Sequence, residues 1–312
     1  MEAIPTTERI FIEDVLKHIY HCQQKNRRPT LESIAGVLQV SVNEASLLIA
    51  KMTSRNLLKL ANSDFLLTPA GENYALQVIR AHRLWERYLA DETGFHESEW
   101  HERAEREEHL LTPTEIEALA ARLGHPTHDP HGDPIPTAAG DFVPHGGQSL
   151  NALETGQAAR IVHLEDEPPV VYAQLVAEGL YPGLEIRIKE KTPERIRFLA
   201  GAEECVLAPL LARNVSVIPL ADEEITTPVQ YQRLSSLPIG QTARVVSISP
   251  ACRGVERRRF MDLGILPGTV IKAEMVSPSG DPTAYFFRQS LIGLRREQAD
   301  YIFINRNLEE AQ

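Results

Sequence analysis

Residues 30–71 read TLESIAGVLQVSVNEASLLIAKMTSRNLLKLANSDFLLTPAG, and the punctuation of this stretch decides the fold of the N-terminal part. Thr30 stands where a helix N-cap belongs, with Ser33 in the first turn and Ile34, Val37 and Leu38 behind it at helical spacing. Three residues later Ser41 caps a further helix over 41–54. The runs on either side of Asn62-Ser63-Asp64 are short and apolar, which predicts a hairpin. Upstream, Ile12, Val15, Leu16 and Ile19 form the buried stripe of another helix. Three helices and a hairpin in this order, with a short turn between the second and third helix, predict a winged helix-turn-helix.

The pattern around this core is that of a globular chain with several domains. Its 312 residues are 43% hydrophobic and 24% charged, with a formal charge of -11, which argues against indiscriminate nucleic-acid binding. Residues 1–60 nevertheless hold eight Lys/Arg against six Asp/Glu, as a localised DNA-binding face requires. No apolar run approaches a membrane span, and the acidic amphipathic start MEAIPTTERIFIEDVLKHIY does not read as a signal peptide. Cys22, Cys205 and Cys252 lie far apart and form no CxxC, so a reducing cytoplasm without membrane insertion is expected.

Beyond residue 71 a long helix carries His82 and Glu86 at i and i+4, and HERAEREEH follows at 101–109. On a helix His101, Glu105, Glu108 and His109 share one face, and every one of them can ligate a metal. That spacing alone fits either a charged solvent face or one wall of a metal site. Thr112 with Pro113 starts another helix. A loop rich in Pro, Gly, His and Asp comes next, with Asp129 and His131 flanking a proline. The C-terminal half then repeats itself. SLNALETGQAARIVHL matches RLSSLPIGQTARVVSI and LVAEGLYPGLEIRI matches FMDLGILPGTVIKA, which predicts two copies of one small β module.

Asp14 on the first helix, the His82/Glu86 pair, the 101–109 acids and histidines, and Asp129/His131 offer only oxygen and nitrogen ligands. A helical bundle can converge such side chains on one ion, and this donor set suits Mn2+ or Fe2+ better than structural zinc. No nucleophile elbow, phosphate loop or cofactor fingerprint is present, so no enzyme is expected.

The order and spacing of IEDVLKHIY, LTPAGENYALQVIRAHRLWERYL, EREEHLLT and HGDPIP resemble the diphtheria toxin repressor family of metal-dependent repressors. The resemblance implies a primary metal site of Asp14, Glu105, Glu108 and His109, bordered or joined by His82. It also implies a second site drawn from His82, Glu86, His101, Asp129 and His131. Acids at positions 14 and 105 resemble the manganese-responsive branch, with Fe2+ as the alternative metal. Lys17 departs from the glutamate that some manganese regulators place there, and a protonated ammonium cannot ligate. Each C-terminal repeat resembles the SH3-like domain of the ferrous iron transport A family. In relatives an acid of the first such domain can complete the second site; Asp166 and Glu167 are nearest in sequence.

The expected architecture is therefore a multidomain α+β chain. A winged helix-turn-helix spans 1–75, a helical dimerisation and metal-binding domain 76–140, and SH3-like β-barrels 148–222 and 231–306. The expected partners are a second copy of the chain and a palindromic double-stranded operator. Ser41, Asn43, Ser46, Lys51 and Arg55 would lie on the reading helix, with Arg27 and Arg28 on its flank. The expected activity is repression of metal-uptake genes. Metal would bridge the first helix to the helical domain, and in its absence the clustered carboxylates would repel. A non-DNA-binding adaptor acting on a metal transporter through the paired SH3-like domains is the alternative.

Overall fold

The computed structural model describes residues 6–61, 64–95, 97–200, 203–221, 232–249, 252 and 254–306. The hairpin tip Asn62-Ser63 and the expected β-domain limits at 222 and 231 lie outside these residues. The chain divides into two compact units, Met1–Tyr88 with Glu99–Pro144, and Leu89–Ser98 with His145–Gln312.

In the first unit, α1 (Thr6–Gln24), α2 (Leu31–Leu38) and α3 (Val42–Ser54) precede the antiparallel hairpin of β1 (Leu58–Ala61) and β2 (Asp64–Leu67). Both expected caps form as reciprocal pairs, Thr30 with Ser33 and Ser41 with Glu44, so each helix start satisfies its own orphan amides. The α1 stripe of Ile12, Val15, Leu16 and Ile19 is fully buried against Ile34, Leu48, Met52 and Leu58. Removing any one of these large side chains would cost roughly 2–5 kcal/mol.

The long helix α4 (Pro69–Glu92) follows, then α5 (Trp100–Glu107) and α6 (Pro113–Arg122). Thr68 and Gly71 make the corner into α4. The Thr68 hydroxyl donates to the Leu57 carbonyl, and a Cβ on Gly71 would fall 2.0 Å from that same oxygen. One continuous helix thus runs through the boundary expected near residue 75. Its early residues Ala75, Leu76 and Ile79 belong to the first core, and Ala81 and Leu84 belong to a second core with Ile116, Ala120 and Ile135.

The second unit contains the two repeats. The first is built from β3 (Gln148–Ser149), β4 (Ala158–Leu164), α7 (Pro169–Ala177), β5 (Glu185–Lys191), β6 (Ile196–Ala200), β7 (Glu203–Leu207), α8 (Pro209–Ala212) and β8 (Val215–Leu220). The second is built from β9 (Gln232–Arg233), β10 (Thr242–Ile248), α9 (Gly254–Asp262), β11 (Val270–Val276), β12 (Thr283–Phe287), β13 (Ser290–Leu294), α10 (Arg296–Asp300) and β14 (Ile302–Asn305). The strand orders β3-β8-β4-β5-β6-β7 and β9-β14-β10-β11-β12-β13 are the same order, and all pairs are antiparallel. The matched glycines do the same work in both copies. Gly183 and Gly268, each after proline, adopt φ of 99° and 89° and donate to Ile161 and Val245 respectively. Each repeat encloses its own core, around Phe198 in one and Tyr285 in the other. The buried Tyr285 hydroxyl donates to the Leu234 carbonyl, which permits a polar atom there. Among the described residues no single helix is long and apolar enough to cross a membrane.

Candidate metal centre and nucleic-acid interface

The centre assembles in the first unit from α1, α4, α5 and the turn after α5. The helix carrying His101 ends at Glu107, and Glu108 and His109 lie in the turn that follows. That break splits the expected stripe. His101 and Glu105 stay on the partly open helix face, whereas Glu108 and His109 turn inward and are buried.

Two clusters lie within the described residues of the first unit. Asp14, Glu108 and His109 place ligand atoms within 4.8 Å of one another, and so do His82, Glu86 and His101. Two ligands bonded to one ion at roughly 2.0–2.6 Å lie at most roughly 4–5 Å apart, so each cluster fits a single ion of oxygen and nitrogen preference. In the first cluster His109 Nε2 is 3.2 Å from Asp14 Oδ1 and 3.5 Å from Glu108 Oε1. Its other nitrogen, Nδ1, donates to Glu13 Oε2 at 2.6 Å, and Glu13 in turn accepts from the Tyr74 hydroxyl. This carboxylate behind the imidazole holds the ring with Nε2 facing the cluster, the arrangement that orients metal-binding histidines. Sequence reasoning passed over Glu13. Its signal was an acid beside the buried stripe of α1, one position from Asp14 and four from both Arg9 and Lys17.

Glu108 has no exposed side-chain surface, and it is already engaged. Lys17 Nζ donates to Oε1 at 2.7 Å and to Oε2 at 3.0 Å, and His82 Nδ1 also donates to Oε2. His82 Nε2 is 3.1 Å from Glu86 Oε1, so the imidazole lies between the two clusters with a carboxylate at each ring nitrogen. Burial opposes the charge on His82 and on Lys17, but the facing carboxylates more than offset it, and both pKa values lie above their ordinary values. The same partners hold Glu108 below the usual carboxylate range despite its burial. His109 is lowered by burial and raised more by Asp14 and Glu13, to about 9. The carboxylates of the first cluster face Lys17, His82 and His109.

The remaining expected ligands fall around the second cluster. Glu105 points to His101 rather than to Asp14, with 3.5 Å to its Nε2, and that bond lowers its pKa to about 2. His131 Nδ1 is 3.6 Å from Glu86 Oε2. Asp129 is spent on its own loop, where Oδ1 accepts the amides of His131, Gly132 and Asp133 at 2.8–2.9 Å. Arg80 and Arg83 of α4 donate to the carbonyls of Pro136 and Pro134 and so fasten the loop that presents His131. Burial and the neighbouring Asp133 raise the Asp129 carboxyl to about 7.

On α3, the expected reading helix, Asn43 and Ser46 are exposed, as is Leu47 at 66%. Ser41 and Glu44 are occupied as the capping pair. Lys51 and Arg55 both reach Glu8 of α1, at 2.7 and 3.1 Å. Arg27 is exposed, and Arg28 lies 3.5 Å from Asp64 of the hairpin.

Comparison with known proteins bears on this geometry directly. Residues 68–137, which include α4, α5 and the acid–histidine turn, match the iron dependent repressor metal binding and dimerisation domain. The diphtheria toxin repressor of Corynebacterium efficiens is 31% identical over 198 residues, covering 60% of this chain and 84% of that protein. The chain belongs to the diphtheria toxin repressor family. The iron-dependent repressor IdeR of Mycobacterium leprae is 27% identical over 222 residues, covering 67% of this chain and 94% of that protein. The solved structure of a manganese-dependent transcriptional repressor in complex with manganese is 27% identical, with a TM-score of 0.60, covering 67% of this chain and 100% of that one. Residues 148–219 and 232–306 each match the FeoA domain.

Proposed function

We propose that this chain is a metal-dependent DNA-binding transcriptional regulator, a repressor of metal-uptake genes that responds to Mn2+ or Fe2+ in the cytoplasm. The observation that carries the reading is the convergence of Asp14 from α1 with Glu108 and His109 from the turn after α5. An ion held by all three ties the helix that packs under the reading head to the helical domain. Residues 1–75 bind DNA in this reading, residues 76–140 hold metal and pair two copies, and 148–222 and 231–306 are accessory domains. Asn43, Ser46 and the apolar Leu47 face base edges, while Arg27, Arg28, Lys51 and Arg55 serve phosphates. Two copies on a palindromic operator follow from the single reading helix per chain. His82, Glu86, His101, Glu105 and His131 form a second metal position, and no side chain is assigned a catalytic step.

Anaerobic fluorescence anisotropy on the DNA upstream of its own gene tests this, with chelator, Mn2+ and Fe2+ compared at one stated salt concentration. Tightening with Mn2+ or Fe2+ that is lost in Glu108→Ala is the expected result. Operator affinity unchanged by chelator overturns it.

A second reading, an adaptor for another protein, draws on the outward face of the second β domain. Met275, Phe286 and Leu291 are about half exposed there, whereas the matching strands of the first domain carry the Glu190–Arg197–Glu204 ion pairs. Capture of a metal transporter together with no DNA binding under any metal would favour it.

A further inference from the structure

We infer that Lys17 is a built-in competitor for the metal, so that an ion loads the Asp14–Glu108–His109 cluster only by taking Glu108 away from the Lys17 ammonium. The inference rests on the metal-site reading above and concerns how that site is regulated.

Glu108 is the fully buried member of the cluster, and the Lys17 ammonium sits astride both its oxygens at 2.7 and 3.0 Å. An ion bonded to Oε1 comes within roughly 5 Å of that ammonium, where a dication and a monocation in a poorly solvated site repel strongly. Lys17 therefore has to leave the carboxylate or remain beside the ion at a cost in affinity. Its side chain is 16% exposed, so the flexible four-carbon stem has an opening toward water.

The two states also share a helix. Asp14 and Lys17 are three residues apart on α1 and face the same way. In the structure α1 is fastened to Glu108 through Lys17. In the loaded chain it would be fastened through Asp14 and the ion. Loading exchanges one tie for another rather than closing an open hinge, and the strength of the Lys17 tie sets the free-metal concentration at which the exchange occurs. Binding to the exchanged state alone shifts the population.

The test uses the full chain stripped with chelator, at fixed pH and salt. Mn2+ binding is read by calorimetry and by loss of the aqueous Mn2+ electron-spin signal, and thermal unfolding is read in chelator. Lys17→Met and Lys17→Gln should bind Mn2+ at least roughly tenfold more tightly and melt lower than wild type without metal. Lys17→Arg, which keeps a cation on both oxygens, should bind no more tightly than wild type. If one neutral variant fails to fold, the other carries the comparison. Neutral variants that bind no more tightly, while Glu108→Gln loses the ion, would make Lys17 a merely structural partner and overturn the inference. Glu108→Gln binding Mn2+ like wild type would instead remove the metal from this cluster and overturn the site reading itself.

Discussion

The ion pairs that α1 makes with Glu108 and with Lys51 and Arg55 differ in solvent. Lys17–Glu108 lies inside, with a carboxylate of zero exposure. Glu8 meets Lys51 and Arg55 at the surface, where the Lys51 side chain is 55% exposed. The distances are the same 2.7 Å for the two lysines. The energies are not, because water screens the outer pair far more than the inner one, whose carboxylate is fully buried. In the proposed reading, a DNA phosphate would replace Glu8 on Lys51 or Arg55 at little cost, whereas a metal ion would have to win Glu108 from a partner held far more firmly.

The largest effect that would break this contrast is at the buried pair. Glu108→Ala leaves Lys17 and His82 without their shared acceptor, and the metal-free protein should lose about 3–5 kcal/mol in denaturant unfolding. A loss under 1 kcal/mol would place the pair in the surface class.

His109 gives the next effect. Its folded pKa of about 9 lies above the ordinary 6.5, so its contribution to metal-free stability is complete below about pH 6.5 and is lost as pH rises through about 9. The melting temperature in chelator should fall over that interval, and His109→Gln should flatten the slope. Metal affinity should rise over the same interval, since an ion needs Nε2 without its proton.

At the outer pair, Glu8→Gln should leave the melting temperature nearly unchanged and tighten DNA binding by no more than roughly fivefold. That gain should fade as salt is raised. The smallest effect is expected in the first β domain. Arg197→Met removes the centre of the exposed Glu190–Arg197–Glu204 ladder, and its melting temperature should not move measurably.

The two β domains show how sequence similarity and surface chemistry part company. GQAAR and GQTAR, with the two PG turns, reproduce one strand order and one set of backbone bonds. The strand faces that do not enter the core are unconstrained by that packing. Residues 232–306 hold eleven Lys/Arg against six Asp/Glu, while 148–219 hold seven against ten.

Legibility in the sequence followed the range of the interaction. The caps at Thr30, Ser41 and Thr112, the α1 stripe, the hairpin strands and the repeated turns are local patterns of period, cap or turn, and each formed as expected. The types and order of the acids and histidines also pointed to a metal centre before any geometry. The partners within that centre were not readable. Lys17 and Glu108 are 91 residues apart, and Glu13 and His109 are 96 apart. Asp129 looked like a ligand and serves its own loop, because three amides within four residues reach it first. The sequence by itself determined which elements form and which side chains can bind a cation, since both follow from local pattern and residue chemistry. Only the tertiary structure decided which cation each carboxylate holds and how dry that contact is, because pairing and dielectric depend on what the fold packs around them.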